Sequence, residues 1–306
     1  MRDQFIQRLS EHVAKEKDIL LVTGDLGFGV FNKFREDFPE NFINAGVAEQ
    51  NMTGMATGLA LAGKRVITYS IGNFCTLRCL EQIRNDACYH DANVKVVSIG
   101  GGFSYGPLGV SHHATEDLSI MRALPNLVSL APCGYWETRE ATSAMLKTPG
   151  TFYLRLDKSY GEDSPRDPSE KFEVGKARVL EQGDDCTIFV SGGILEEVLK
   201  VHSMLKDRGI QARVVSMHTI SPIDKNAILD AVKTTQKIFT VEENTILGGL
   251  GSAVAEVVVD SGVYPKTFQR FGLQAEFSSI VGSQQYLRKC YELDSETIFA
   301  KILKSL

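Results

Sequence analysis

Apolar and polar positions follow two periods along this chain, and the switches between them lay out its elements. Residues 2–16 carry apolar side chains at helical spacing, which predicts an amphipathic helix. Residues 18–23 form a short apolar run closing in Gly24-Asp25-Leu26-Gly27, the pattern of a buried strand and a turn. A helical pattern begins near Phe31, and a short segment at 41–43 leads into Asn44-Ala45-Gly46-Val47-Ala48-Glu49-Gln50-Asn51-Met52. From there a helix rich in Ala, Gly and Met runs to about Gly63. Met52, Met55, Ala56, Leu59, Ala60 and Ala62 leave it little polar face, so it reads as buried on most sides. A strand at 65–69 and a helix from about 74 to 89 follow. Residues 94–99 are a β-branched strand of the fully buried kind, emptying into the glycine-rich loop 100–109. A helix near 116–123, a strand at 127–130, a helix at 136–146 and a strand at 151–156 complete the first half.

This alternation implies a mostly parallel sheet covered on both faces. The polar stretch 158–169 holds two prolines and is the best linker in the chain. Beyond it, 186–191, 212–216 and 237–241 read as strands, each followed by a helix-compatible segment. The expected fold is therefore α/β, with two doubly wound domains of mostly parallel sheet. The expected boundaries are a first domain over 1–160, a linker over 161–174 and a second domain over 175–306.

Composition narrows the classes. The 306 residues are 43% hydrophobic and 23% charged, the balance of a soluble globular protein. A net charge of −5 without a long basic run argues against nucleic-acid binding. Charges in Met1-Arg2-Asp3-Gln4-Phe5 replace the apolar core of a signal peptide, and no apolar run reaches membrane-spanning length. Six cysteines at 75, 79, 88, 133, 186 and 290 make no CxxC pair and no metal set. These features predict a cytoplasmic protein with reduced thiols, no resident metal and no membrane partner.

Candidate chemistry follows from topology. In parallel sheets, loops leaving strand C-termini form the ligand crevice, here 24–30, 44–49, 70–74 and 100–113. They gather Asp25, Glu49, Tyr69, Phe74, His112 and His113. Glu49 heads the buried helix. Such an acid either satisfies free N–H groups of the first turn, or serves as a functional acid whose proton affinity burial raises. Carboxylate, aromatic, glycine and histidine together suit a polar heteroaromatic ligand, its ring stacked and its nitrogen meeting an acid.

The motifs themselves resemble a family. Residues 44–52, Asn73-Phe74 with Arg78 and Glu81-Gln82-Ile83-Arg84, Ser111-His112-His113-Ala114-Thr115-Glu116-Asp117-Leu118 and Met121-Arg122-Ala123-Leu124-Pro125-Asn126 closely resemble transketolase. Thr240-Val241-Glu242-Glu243-Asn244 and Gly248-Gly249-Leu250-Gly251-Ser252-Ala253 are similar to its C-terminal domain. The resemblance covers nearly the whole chain, but only the pyrimidine-binding (Pyr) and C-terminal domains of a full transketolase. It implies that Glu49 hydrogen-bonds N1′ of the aminopyrimidine of thiamine diphosphate, promoting the tautomer that deprotonates the thiazolium. It further implies Phe74, then Tyr69, as the aromatic platform, and Asp25 as an acid near the cofactor that helix capping also explains. His112 would face the substrate carbonyl and move protons, making Glu49 and His112 the catalytic pair. His113 is a second candidate for substrate. Arg155 is either structural or substrate-binding, and Lys158 stands where the family often has a phosphate-binding arginine. The glycines at 248–251 read as a tight entry into a helix rather than a phosphate cradle.

Departures from the family pattern bear on substrate and partner. Gly106-Pro107-Leu108-Gly109 replaces a Gly-Glu-Asp-Gly run whose acid reads substrate hydroxyls, and Gly100 replaces a phosphate-binding histidine. Lys158 offers a point charge instead of a planar fork. Together these changes predict a modified sugar substrate: deoxy, branched, unphosphorylated or nucleotide-linked. The Gly-Asp-Gly motif with a downstream asparagine, which holds Mg²⁺ and the diphosphate, is also missing. The Gly-Asp pairs present are Gly24-Asp25-Leu26 and Gly183-Asp184-Asp185. The expectation is a separate partner subunit carrying that half, in an α2β2 assembly. The rival readings are a 1-deoxyxylulose-5-phosphate synthase-like or 2-oxo acid dehydrogenase β-type subunit, and a non-catalytic scaffold.

Overall fold

Seven strands build the first sheet of the computed structural model, which describes residues 1–27, 29–158 and 168–306. Six belong to the first half: β1 (Ile19–Thr23), β2 (Phe42–Asn44), β3 (Arg65–Ile71), β4 (Val94–Ile99), β5 (Leu127–Leu130) and β6 (Thr151–Leu156). They pair in parallel in the order β5-β6-β4-β3-β1-β2, so the loops after β1, β2, β3 and β4 leave from one edge. Every residue of β1, β4 and β6 is buried, Lys95, Ser98, Thr151 and Arg155 included, as in strands covered on both faces. The seventh strand, β10 (Thr219–Ser221), comes from the second half and pairs antiparallel with β5. Much of the expected linker, 161–167, lies outside the described residues.

Helices cover both faces. Val66 of β3 joins Met52, Ala56 and Ala60 of α3 (Glu49–Leu61) in one apolar cluster. Ile67 and Tyr69 point the other way, to Phe5, Leu9 and Val13 of α1 (Arg2–Val13) and to α6 (Tyr135–Lys147). The short α2 (Asn32–Asp37) and α5 (Asp117–Arg122) complete this half.

The helix expected over 74–89 is broken. It comprises α4 (Gly72–Cys75), a turn in which Thr76 takes φ −111° and ψ −79°, and a π-helical run, Gln82–Cys88. The Thr76 hydroxyl donates to the Gly72 carbonyl at 2.7 Å, a side-chain bond that bends helices. Gly72 is wedged against Ala114, whose Cβ would lie 2.5 Å from an added Cβ, so the first turn is pinned by a neighbouring loop. Periodicity alone could not show this, because the residues on either side of the break keep helical spacing.

The second sheet has the order β12-β11-β8-β9-β7, with β7 (Arg178–Glu181), β8 (Cys186–Ser191), β9 (Ala212–Ser216), β11 (Lys237–Thr245) and β12 (Thr267–Leu273). Only the β7–β9 pair is antiparallel. The pattern of apolar runs misses β7, β10 and β12, all three edge strands of their sheets; β7 and β12 have partly exposed residues and β10 is only three residues long. Packed on this sheet or beside it are α7 (Leu195–Lys206), α8 (Lys225–Thr234), α9 (Leu250–Ser261), α10 (Gln284–Cys290) and α11 (Ser295–Ser305). Among the described residues no helix is long and apolar enough to cross a membrane. Five cysteines are buried thiols and Cys290 is exposed.

The glycines at 248–251 do turn the chain into α9. A Cβ at Gly249 would fall 2.0 Å from Glu242 Oε2, and Glu242 accepts from the Leu250 and Gly251 amides at 2.7 Å each. The buried carboxyl thus closes the helix N-terminus. Burial raises Glu242 from 4.5 to about 7, while those two amides pull it down. The folded state therefore binds a proton that the unfolded state has released. This contribution is full below the unfolded value of 4.5 and is lost as pH rises through about 7. Glu242→Gln is expected to remove a decline of stability on the order of 3 kcal/mol across that window, read from urea unfolding at its two ends. Parallel pH curves for variant and parent would contradict the assignment.

Candidate active site

Glu49 is the first residue of α3 and only 2% exposed. It sits against the end of β1, where a Cβ at Gly24 would lie 3.2 Å from Glu49 Cγ. The acid is not alone in an apolar pocket. Arg78 Nη1 donates to Glu49 Oε2 at 2.6 Å, while Oε1 has no hydrogen-bond partner among the described residues. The Arg78 guanidinium carbon also lies 4.6 Å from the centre of the Phe74 ring, a cation–π contact. Phe74 is half-buried, and its ring meets His112 edge-on at 5.0 Å. Acid, guanidinium, ring and imidazole thus converge from α3, the broken helix after β3 and the loop after β4. The break at Thr76 carries Arg78 around toward α3. Arg78 was visible in the sequence as part of a motif, but nothing there assigned it to the acid.

His112 lies on the 100–113 loop with Nδ1 3.0 Å from Ser111 Oγ. Burial, reinforced by neighbouring His113, lowers its pKa, so the imidazole is neutral at pH 7. Tyr105 lies 6.2 Å from it, ring to ring, and the Lys158 ammonium lies 4.7 Å from the Tyr105 ring. Lys158 is exposed on a groove of about 650 Å³ lined also by Ser104, Glu196 and Gln284.

Three expected residues stand elsewhere. Tyr69 packs in the opposite core, 6.0 Å from Phe5 and 4.8 Å from Phe31, because strand alternation turns it away from α3. Arg155 is buried under the second half. It pairs with Asp117 at 3.3 Å and Asp157 at 3.4 Å and donates to the Glu243 carbonyl at 2.8 Å, so it faces no open crevice. His113 braces the interior of its own loop. Its Nε2 donates to the Gly106 carbonyl at 3.0 Å and its Nδ1 is buried without a partner among the described residues, while Asn73 Nδ2 donates to its carbonyl at 2.9 Å.

Asp25 is exposed at the rim beside Gly24, in the left-handed region at φ +53°. It caps no helix. It exchanges hydrogen bonds with Asn44, giving its N–H to Oδ1 at 3.0 Å and accepting from Nδ2 at 2.9 Å. In the other Gly-Asp pair Asp184 is fully exposed, 4.0 Å from Arg213 Nη2, and it is its neighbours that serve the turn. Gly183 closes against Gln211, and Asp185 accepts the Gln211 amide at 2.7 Å. Among the described residues no three His, Cys, Asp or Glu side chains gather in a metal-binding group.

A buried acid and a half-buried ring thus stand at the strand ends of a parallel sheet. Residues 1–162 match the family described as the transketolase pyrimidine binding domain, and residues 175–298 match the transketolase C-terminal domain. The chain belongs to the transketolase family. It is 39% identical to a putative transketolase C-terminal section of Methanocaldococcus jannaschii, over all of this chain and 96% of that one. It is 34% identical to an apulose-4-phosphate transketolase subunit of Phocaeicola vulgatus, over 97% and 94%. A solved structure described as a split gene transketolase, inactive beta4 tetramer, superposes with a TM-score of 0.89 at 33% identity, over 100% and 97% of the two chains.

The family implies thiamine diphosphate, and the site fits its pyrimidine half. A 2%-exposed acid, its Oε1 without a partner among the described residues, stands beside a half-buried aromatic ring, a match to a heteroaromatic ring bearing a nitrogen.

Proposed function

We propose that this chain is the pyrimidine-binding subunit of a two-chain, thiamine diphosphate-dependent transketolase. It moves a two-carbon ketol unit from a ketose donor to an aldose acceptor, with a modified sugar among its substrates. The observation that carries this reading is the convergence of Glu49 and Phe74 with His112. When bound, the cofactor supplies the nucleophilic carbon for ketol transfer. Glu49 would meet the ring nitrogen through Oε1, with Arg78 fixing the carboxyl through Oε2, and Phe74 would lie against the ring. His112, neutral at pH 7, orients the substrate carbonyl and accepts or returns its proton. Asp25 stands at the rim, and Lys158 with Tyr105 offers a cation at the outer groove for an anionic substrate end.

The diphosphate and Mg²⁺ belong, in this reading, to a separate subunit in an α2β2 assembly in the cytoplasm. The first domain of this chain ends near 160, and the second begins near 175 after a linker over 161–174. Two observations support a partner: Asp25 is tied to Asn44 while Asp184 stands fully exposed with Arg213 4.0 Å away, and the Phocaeicola relative is named as one subunit of its transketolase. The same relative is named for apulose 4-phosphate, and Gly106-Pro107-Leu108-Gly109 lacks the hydroxyl-reading acid, which together support a modified sugar.

Calorimetric titration tests the reading. With its partner and Mg²⁺, the chain is expected to bind thiamine diphosphate at roughly micromolar concentration, and alone at least about 100-fold more weakly. Tight binding by the chain alone would overturn the partner. A substrate panel tests the rest. Turnover of xylulose 5-phosphate with ribose 5-phosphate at ordinary rates would remove the modified sugar, and consumption of pyruvate would favour the synthase-like reaction.

A further inference from the structure

We infer that Glu243, on β11 of the second half, is a positioning residue for His112, setting the loop that carries the imidazole. The inference rests on the reading above in giving His112 its role. Glu243 is 4% exposed and gathers donors from both halves. Its Oε1 accepts the Phe103 amide at 2.6 Å and Gln284 Nε2 at 2.9 Å, and its Oε2 accepts Arg288 Nε at 2.6 Å. Arg288 is 1% exposed and also pairs with Glu196. These are charge-assisted bonds between buried groups, stronger than neutral ones.

The gripped amide lies at the neck of the His112 loop. Gly102 and Ala114 exchange both backbone hydrogen bonds, at 2.7 and 3.1 Å, closing residues 103–113 into one loop. Glu243 holds Phe103, the first residue inside that neck, and the Thr245 amide of the same strand donates to the Thr115 carbonyl at 2.7 Å just outside it. Gly102 sits at φ +57°, and a Cβ there would lie 2.5 Å from Glu243 Oε1, so the approach requires glycine. Inside the loop the grip is passed on by packing. The Phe103 ring meets His113 edge-on at 5.1 Å, His113 holds the Gly106 carbonyl, and the His112 amide donates to the Gly109 carbonyl at 2.9 Å. None of the hydrogen-bond partners found for Glu243 lies on α3 or α4, which carry Glu49 and Phe74.

Glu243 therefore reaches α4 through the loop, where Asn73 Nδ2 donates to the His113 carbonyl and Gly72 packs on Ala114, and bears first on His112. In the two-chain complex, Glu243→Gln is expected to lower kcat/KM for the ketose donor roughly 10–100-fold, with thiamine diphosphate affinity changed by about twofold at most. In a His112→Ala background the same change is expected to cost about threefold or less, because its effect runs through the imidazole. Gly102→Ala displaces the same loop without removing a charge and is expected to give the same split. A readout free of turnover comes from the chain alone. The NMR titration midpoint of His112 is expected to move in both variants, while His12 and His90 stay fixed. Additive losses in the double variant, or an unmoved His112 resonance in a folded variant, would overturn the inference. A parent complex without ketol transfer would instead sink the functional reading, and the NMR comparison would still decide whether Glu243 sets His112.

Discussion

In the assembled complex, Glu49→Gln is expected to lower ketol transfer by roughly 10²–10⁴-fold while leaving thermal stability close to the parent's. The amide keeps the shape of the carboxyl in a site only 2% exposed, and its oxygen can still accept from Arg78. What it loses is the second carboxyl oxygen, Oε1, which has no hydrogen-bond partner among the described residues. Cofactor titration and single-turnover donor cleavage separate the steps, and the deficit should fall in cleavage. Undiminished turnover would return Glu49 to a helix-terminus charge, and would favour a scaffold role for the chain.

The largest stability effect is expected at Arg155. Its side chain is 2% exposed between Asp117 and Asp157, themselves 0% and 5% exposed. Arg155→Leu leaves two carboxylates buried without their cation, a loss of about 3–5 kcal/mol. Arg155→Lys should recover little of it, because one ammonium cannot reach both acids and the Glu243 carbonyl as the guanidinium fork does. The loss should depend on pH in a definite sense. Burial raises Asp117, with Arg155 and Tyr153 opposing it. Without the guanidinium its folded value climbs further above the unfolded one, so stability falls as pH rises. Urea unfolding should show a smaller deficit at pH 5 than at pH 8. An equal deficit at both would place the charge burden on another group.

The parts of the site that could be read from sequence were those set by neighbours along the chain. Glu49, Phe74 and His112 each follow a strand predicted from its apolar run, and a parallel sheet sends such loops to one edge. What the sequence left open or missed depended on a distant segment or on strand phase. Tyr69 is one residue out of step with the face that packs on α3. Arg155 ends a strand as a substrate-binding residue would, yet the second half covers it. The role of Arg78 depends on a helix break at Thr76 whose flanking residues keep helical spacing. Glu243 lies 140 residues from the amide it grips. No local pattern links the two.

The three residues of β10 have a consequence for how such a chain can be cut and recombined. Thr219 and Ser221 pair with Leu130 and Ser129, and the Ala131 amide reaches the His218 carbonyl at 2.8 Å. The outer strand of the first sheet is thus supplied by the second half. A fragment ending before it would offer Leu127–Leu130 as an open edge, a template for pairing with other chains. The two halves are therefore not interchangeable cassettes. A graft of one onto another relative's other half must carry a matching edge strand, so sheet completion, more than the length of the connecting segment, limits which hybrids can fold.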